Sequence, residues 1–175
     1  MTILETTRLI LRPPGGGDAE ALVAALNNFN ISRWTCRIPH PYGPADAAAF
    51  LEYCRNLPVD DVVLLITHGG EAIGVIGIER GELGYWLAEP HWGRGYATEA
   101  AQAITGHGFS AAGRDSIKAS YFTGNTASQR VLAKLGFEPV GAGATYSRAQ
   151  KTAVSHINLV LTREAWRRAN PATRH

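Results

Sequence analysis

Residues 61 to 89 read DVVLLIT, HGGE, AIGVIGIE, RGE and LGYWLAE in succession, three β-prone runs separated by turns of a few residues. Connections that short leave no room for a crossover, so the runs must lie side by side as an antiparallel meander. HWGRG then leads directly into YATEAAQAITGHGFSAA, where the pattern changes from strand to helix. The spacing predicts a helix from Ala97 to Ala112, with Ala97, Ala100, Ala101, Ile104 and Ala111 towards the core and Gly113 as its C′ residue.

The flanking segments complete an α+β order. TTRLILRPP is an opening strand stopped by Pro13 and Pro14, and GGGDAEALVAALNN is a helix that Asp18 can cap, with Ala21, Leu22, Ala25 and Leu26 on one face. NFNISRWTCRIPHPYGP has no period and reads as a long loop of the kind that serves binding, and ADAAAFLEYCRN is a second helix. Downstream, SIKASYF is a strand, NTASQRVLAKLG a helix closed by Gly136, FEPVGAG a strand and SHINLVLT the last strand. This order predicts a mixed, mostly antiparallel twisted sheet of about seven strands flanked by about four helices, in a single domain over residues 1–175.

Composition narrows the partners. A net charge of +2 does not argue for nucleic acid, and the basic residues cluster in the tail TREAWRRANPATRH, which reads as solvated. No apolar run reaches the ~18 residues of a membrane span, and MTILETTRLILRPP has its charges in the wrong places for a signal peptide. Cys36 and Cys54 lack metal-type spacing and read as free thiols in a reducing compartment, and the histidines form no ligand pattern. A cytoplasmic protein with no metal site is expected.

Gly93 and Gly95 stand where a strand ends and a helix begins. The first turn of a helix carries unpaired N–H groups and about half a positive charge. Glycines remove the Cβ atoms that would keep a phosphate away, and Arg94 adds a full charge, so the segment is an anion cradle suited to a diphosphate. It lacks the GxxxxGK[ST] of a phosphate-binding NTPase loop and the third glycine of a dinucleotide fingerprint, and it follows an antiparallel meander instead of the first strand of a parallel sheet. A glycine-rich connection with a chance arginine is the alternative. Downstream, Asn125 is a natural N-cap, and Asn125, Ser128, Arg130 and Lys134 crowd a helix expected beside the cradle.

GYWLAEPHWGRGYATEA followed by NTASQRVLAKLGF resembles the GNAT family of acyl-CoA-dependent N-acetyltransferases, and more narrowly the branch that includes the ribosomal-protein alanine N-acetyltransferases. TTRLILRP and LTREAW are also habits of that branch, so the likeness runs from about residue 5 to residue 167. The family's R/Q-x-x-G-x-G/A signature falls on Trp92, Gly93, Arg94, Gly95, Tyr96 and Ala97, with tryptophan at the first position as this branch commonly has it. The resemblance implies that backbone N–H groups from Gly93 to Thr98 hold the diphosphate of coenzyme A. It implies that the strand edge at Trp86, Leu87 and Ala88 pairs with the pantetheine amides. Asn125 and Ser128 match the branch's N-x-x-S element near the thioester. Arg94 and Arg130 are candidates for the remaining phosphate charge, a solvated helix face being the alternative for Arg130.

The implied chemistry is attack of a neutral amine on the thioester of acetyl-CoA. A lysine amine is about 3.4 units from neutral at pH 7, or roughly 4.6 kcal/mol, while an α-amine needs only about 1 kcal/mol. Glu82 matches a position where some relatives carry a catalytic glutamate, a solvated turn carboxylate being the alternative; a water chain could also serve as base. Where many relatives place a tyrosine acid this chain has Leu132, so Ser128 is the candidate acid, with an oxyanion donor expected at the N–H of Leu87 or Ala88. The acceptor, a protein N-terminus or a small-molecule amine, is expected between the loop 27–43 and GATYSRAQKTAV, with Trp34, Arg37, Tyr42, Tyr146 and Arg148 as candidate contacts and His40 as an ordinary loop histidine. Two alternatives stay open, a non-catalytic acyl-CoA sensor and a homodimeric assembly.

Overall fold

Two-residue turns build the meander. β3 (Val62–His68), β4 (Glu71–Glu79) and β5 (Glu82–Leu87) pair antiparallel, with His68 opposite Glu71 and Glu79 opposite Glu82. The central residues of both turns, Gly69 and Gly70 and then Arg80 and Gly81, all have positive φ, the geometry that matches the twist of the flanking strands. Asp61 steadies the non-glycine member by accepting the Arg80 N–H at 2.7 Å.

The computed structural model describes residues 2–170. It contains eight strands in the order β1-β2-β3-β4-β5-β6-β8-β7, completed by β1 (Leu4–Glu5), β2 (Ile10–Arg12), β6 (Ser116–Phe122), β7 (Glu138–Ser147) and β8 (Thr152–Thr162). Every neighbouring pair is antiparallel except β5 and β6. The extra strand is β1, which lies ahead of TTRLILRPP and pairs with β2 across a bend where the Thr6 N–H bonds the Leu9 carbonyl at 2.9 Å. The later hairpin is longer than FEPVGAG implied because β7 continues to Ser147.

Six α-helices are present: α1 (Ala19–Leu26), α2 (Phe29–Ser32), α3 (Pro44–Arg55), α4 (Tyr96–Ser110), α5 (Thr126–Leu135) and α6 (Arg163–Ala169). Two of them differ from expectation. α2 is one turn inside the long loop, started by the Asn28 side chain accepting the Asn30 N–H. α6 takes up residues 163–169 of the basic tail, whose last five residues lie outside the described ones; Thr162 caps it at Ala165, and Trp166 is buried against Phe109 with ring centroids 5.4 Å apart. α4 ends at Ser110, two residues short of the predicted end, and Ala111, expected on the core face, is exposed. Asp18 does not cap α1 with its side chain; it accepts from the Gly15 N–H and pairs with Arg12, which holds its carboxyl below the ordinary range.

Strand alternation divides the core between the two faces of the sheet. Leu64 and Ile66 of β3 join Ile104, Phe109, Leu132, Leu135 and Trp166 on the side of α4, α5 and α6. Val63 and Leu65 join Leu22, Leu26, Ala47 and Leu51 on the side of α1 and α3. Tyr42, expected as an acceptor contact, is 6% exposed and belongs to this second cluster. Its ring fills space between α1 and α3 and does not reach a surface where substrate could meet it. Among the described residues no helix is long and apolar enough to cross a membrane, and no three His, Cys, Asp or Glu side chains converge as metal ligands. Cys36 and Cys54 are free.

Candidate active site

The site begins where two parallel strands part. β5 pairs with β6 only at Glu82 opposite Lys118 and Leu83 opposite Ala119. The Ala88 N–H bonds the Ile73 carbonyl of β4 at 2.8 Å, and the Lys118 N–H bonds the Gly81 carbonyl at 2.8 Å. Alternate residues of a strand send their backbone groups to opposite sides. With the unbroken β4–β5 register, Trp86 and Ala88 therefore face β4, while Leu83, Tyr85 and Leu87 face β6. Past Leu83 there is no partner strand, and the backbone of Tyr85 and Leu87 borders the opening.

This corrects two expectations. The strand edge left unpaired consists of Tyr85 and Leu87, not Trp86 and Ala88. The Ala88 N–H is already used within the sheet and is no oxyanion donor, whereas the Leu87 N–H faces the gap. The Leu87 carbonyl accepts the Trp92 indole N–H at 2.8 Å, so that tryptophan ties the strand edge to the glycine loop.

The loop itself is wound by two left-handed residues, Gly93 (φ 72°) and Gly95 (φ 80°), after a 3-10 turn at Glu89–His91. A Cβ at Gly93 would meet nothing within 4 Å, so the space there is open. Gly95 is the N-cap of α4 and supplies no side chain to its free N–H groups. The Tyr96 ring is buried, with its hydroxyl 3.2 Å from His68 Nε2, leaving only the Tyr96 backbone for the cradle. Ala97 and Thr98 continue the first turn, half-buried. Arg94 is exposed, and no protein partner holds its guanidinium among the described residues.

α5 reaches the same opening. The Asn125 side chain caps it by accepting the Ser128 N–H at 3.1 Å, and the Ser128 hydroxyl lies 2.9 Å from the Tyr85 hydroxyl. Burial pushes the Tyr85 phenol up to about 12, despite the opposing pull of the Ser128 hydrogen bond, so it stays neutral. Tyr85 is the partner that sequence reasoning missed. Its signal was available in the alternation of LGYWL, which puts Leu83, Tyr85 and Leu87 on the helix side. Arg130 is on the exposed face of α5.

The other face of the sheet carries the acceptor candidates. Glu82 is exposed there and accepts the Ser120 hydroxyl at 3.0 Å across the last paired rung. The loop and the late hairpin meet as expected: the Arg148 N–H bonds the Cys36 carbonyl, Ser147 Oγ bonds the Thr35 carbonyl, and Gln150 Nε2 bonds the Arg33 carbonyl. Trp34 reaches the start of α5, 3.9 Å from where a Gly124 Cβ would stand. Tyr146 and the Arg148 side chain are exposed, whereas His40 is half-buried against Phe29. Arg37 is not a free cation. It grips Glu79 with both terminal nitrogens, at 2.6 and 3.2 Å, and Tyr53 bonds the same carboxylate. Burial would raise the Glu79 carboxyl, but these bonds and the Arg37 charge outweigh it and hold it below the usual range.

A profile of the acetyltransferase (GNAT) domain matches residues 8–138, from the end of the first turn to the start of β7. The chain belongs to the GNAT acetyltransferases. It is an acetyl-CoA-dependent N-acetyltransferase. Along its length it is similar to the N-acetyltransferase YoaA of Bacillus subtilis (strain 168), 32% identical over 161 residues that cover 82% of this chain and 87% of the relative. Among solved structures, Mycobacterium smegmatis RimJ in complex with CoA-disulfide shares the fold, with 23% identity, a TM-score of 0.83, and 99% of this chain and 95% of that one covered. RimL, the ribosomal L7/L12 α-N-protein acetyltransferase in complex with coenzyme A, shares it at 17% identity and a TM-score of 0.80, over 94% and 99% of the two chains.

Proposed function

We propose that this acetyltransferase moves the acetyl group of acetyl-CoA directly to an α-amine, in one step and without an acyl-enzyme. The observation that carries the reading is the opening between β5 and β6, flanked by the uncapped start of α4 and by Ser128 on one face and by Glu82 on the other. Gly93 to Thr98 would hold the diphosphate through their N–H groups, with Arg94 and Arg130 adding charge. The Tyr85 and Leu87 edge would pair with the pantetheine amides. Asn125 would keep Ser128 in place at the thioester.

The chemistry then follows from what each group can do. The neutral amine attacks the carbonyl carbon, and the Leu87 N–H steadies the developing oxyanion. Glu82 takes the amine proton through a water chain, since Leu87 stands five residues further along β5. The carbon–sulfur bond breaks as the thiolate leaves, with the Ser128 hydroxyl donating to it. A partly solvated carboxylate is a modest base, adequate for the about 1 kcal/mol that an α-amine demands and poor for a lysine. RimL, whose fold this chain shares and which is described as an α-N-protein acetyltransferase, supports the same choice.

Free-thiol release with peptides bearing either a free α-amine or a blocked N-terminus plus lysine tests the reading. Turnover is expected with the first set; turnover confined to lysine, or absent from every α-amine, overturns it. Glu82→Gln should cut kcat by about a hundredfold while leaving CoA affinity nearly unchanged. An unaltered kcat would remove Glu82 from the mechanism. Ser128→Ala should cost about tenfold in kcat, less than a typical general acid because a thiolate leaves readily. Tyr85→Phe should cost less, and adding it to Ser128→Ala should change nothing further, because its hydroxyl acts through the serine; additive losses in steady-state rates would separate the two.

A further inference from the structure

Arg8 stands 86 positions before Arg94 of the glycine loop, yet one of its side-chain bonds ends on that loop's backbone and its others tie it to the first turn of α4. Its Nη1 donates to the Arg94 carbonyl at 2.9 Å, and its Nε donates to Glu99 Oε2 at 2.7 Å, with Nη2 also 2.7 Å from that oxygen. The Arg8 N–H donates to Glu99 Oε1 at 2.8 Å, and Thr6 Oγ1 donates to the same oxygen at 2.6 Å. The guanidinium lies 4.6 Å from the Tyr96 ring centroid, and its Nη2 is 3.4 Å from where a Gly95 Cβ would stand.

We propose that Arg8 is the positioning residue of the diphosphate cradle, setting the peptide plane before Gly95 and cancelling the carboxylate of Glu99. The proposal rests on reading the start of α4 as the diphosphate site. In a trans peptide the C=O and the following N–H point in opposite directions. Anchoring the Arg94 carbonyl on Arg8 therefore turns the Gly95 N–H away from Arg8 and fixes it there. Without that anchor, two glycines in succession around one arginine leave the plane free to rotate. The second effect is electrostatic. Glu99 sits in the first turn of α4, where its charge favours the helix but opposes an incoming diphosphate. Burial would raise its carboxyl, yet the bonds from Thr6 and Arg8 hold it below the usual range, so the charge is present and Arg8 is what offsets it. Arg8 is itself 43% exposed, so the ion pair is partly screened and the peptide anchor carries the larger share.

The full chain is tested with two donors, acetyl-CoA and S-acetylpantetheine, which keeps the thioester and lacks the diphosphate. Arg8→Ala is expected to raise the KM for acetyl-CoA and the Kd for CoA in calorimetry by about tenfold, with kcat at saturating donor within twofold. The KM for S-acetylpantetheine should not change. Adding Glu99→Gln to Arg8→Ala should recover part of the lost CoA affinity, and Arg8→Lys, which keeps the charge and loses the fork, should fall in between. Should Arg8→Ala prove unstable, Arg8→Lys carries the two-donor comparison alone. Equal losses on both donors, or unchanged CoA affinity, overturn the proposal. A wild-type enzyme that uses both donors equally well overturns the cradle itself, and Arg8's role with it.

Discussion

Gly95→Val is expected to abolish donor binding while leaving a folded protein. Gly95 sits at φ 80°, where a β-branched residue is strained by roughly 1–2 kcal/mol or more. Relief requires the peptide to swing out of the left-handed region, which turns the loop N–H groups away from the anion. Space compounds the strain: a Cβ there already approaches Arg8 Nη2 at 3.4 Å, and the two valine methyls project beyond it. Loss of several charge-assisted backbone bonds at about 1.5 kcal/mol or more each puts the loss of affinity at about a hundredfold or greater. Calorimetry with CoA reads it directly, and far-UV circular dichroism confirms the fold. An unchanged affinity would remove the diphosphate from the start of α4.

The second large effect falls on stability. Gly74→Ala on β4 would place a Cβ 2.4 Å from the Trp86 carbonyl oxygen and 2.7 Å from Leu87 Cδ2. The first of these is backbone, and it belongs to the rung that pairs Val75 with Trp86, so it cannot move without loosening the β4–β5 ladder. Overpacking against main chain puts the loss at about 3 kcal/mol, a fall of roughly 6–12 °C in Tm for a chain of this size. A thermal melt within about 2 °C of wild type would show that the strands have slack there. Turnover should fall as well, since the displaced strand is the one that carries Tyr85 and Leu87 to the opening.

The meander and the glycine turn before α4 were legible in the sequence because both are local. HGGE and RGE specify their turns within a few residues, and Gly93 and Gly95 specify theirs. What escaped was long-range pairing. Arg8 meets Glu99 across 91 positions, Tyr85 meets Ser128 across 43, and Arg37 meets Glu79 across 42, and no periodicity encodes such meetings. Arg37 looked like a cation for substrate because its partner was out of view. Tyr42 looked like a contact because a loop full of prolines does not reveal which of its aromatics turns inward. The α6 helix was hidden by its own composition: the arginines suggested solvent, although Thr162 followed by Arg163 and Glu164 is an N-terminal signature. The direction of backbone groups along β5 needed the register of β4, which only the fold provides.

The seam between loop and late hairpin has an evolutionary consequence. Ser147 and Gln150 hold residues 33 and 35 by their carbonyls, and the Arg148 N–H holds residue 36 in the same way. A carbonyl is the same whatever side chain its residue bears, so the attachment is indifferent to the identity of Arg33, Thr35 and Cys36. Those positions can be rewritten while the wall stays standing, letting the loop drift in sequence without rebuilding its frame.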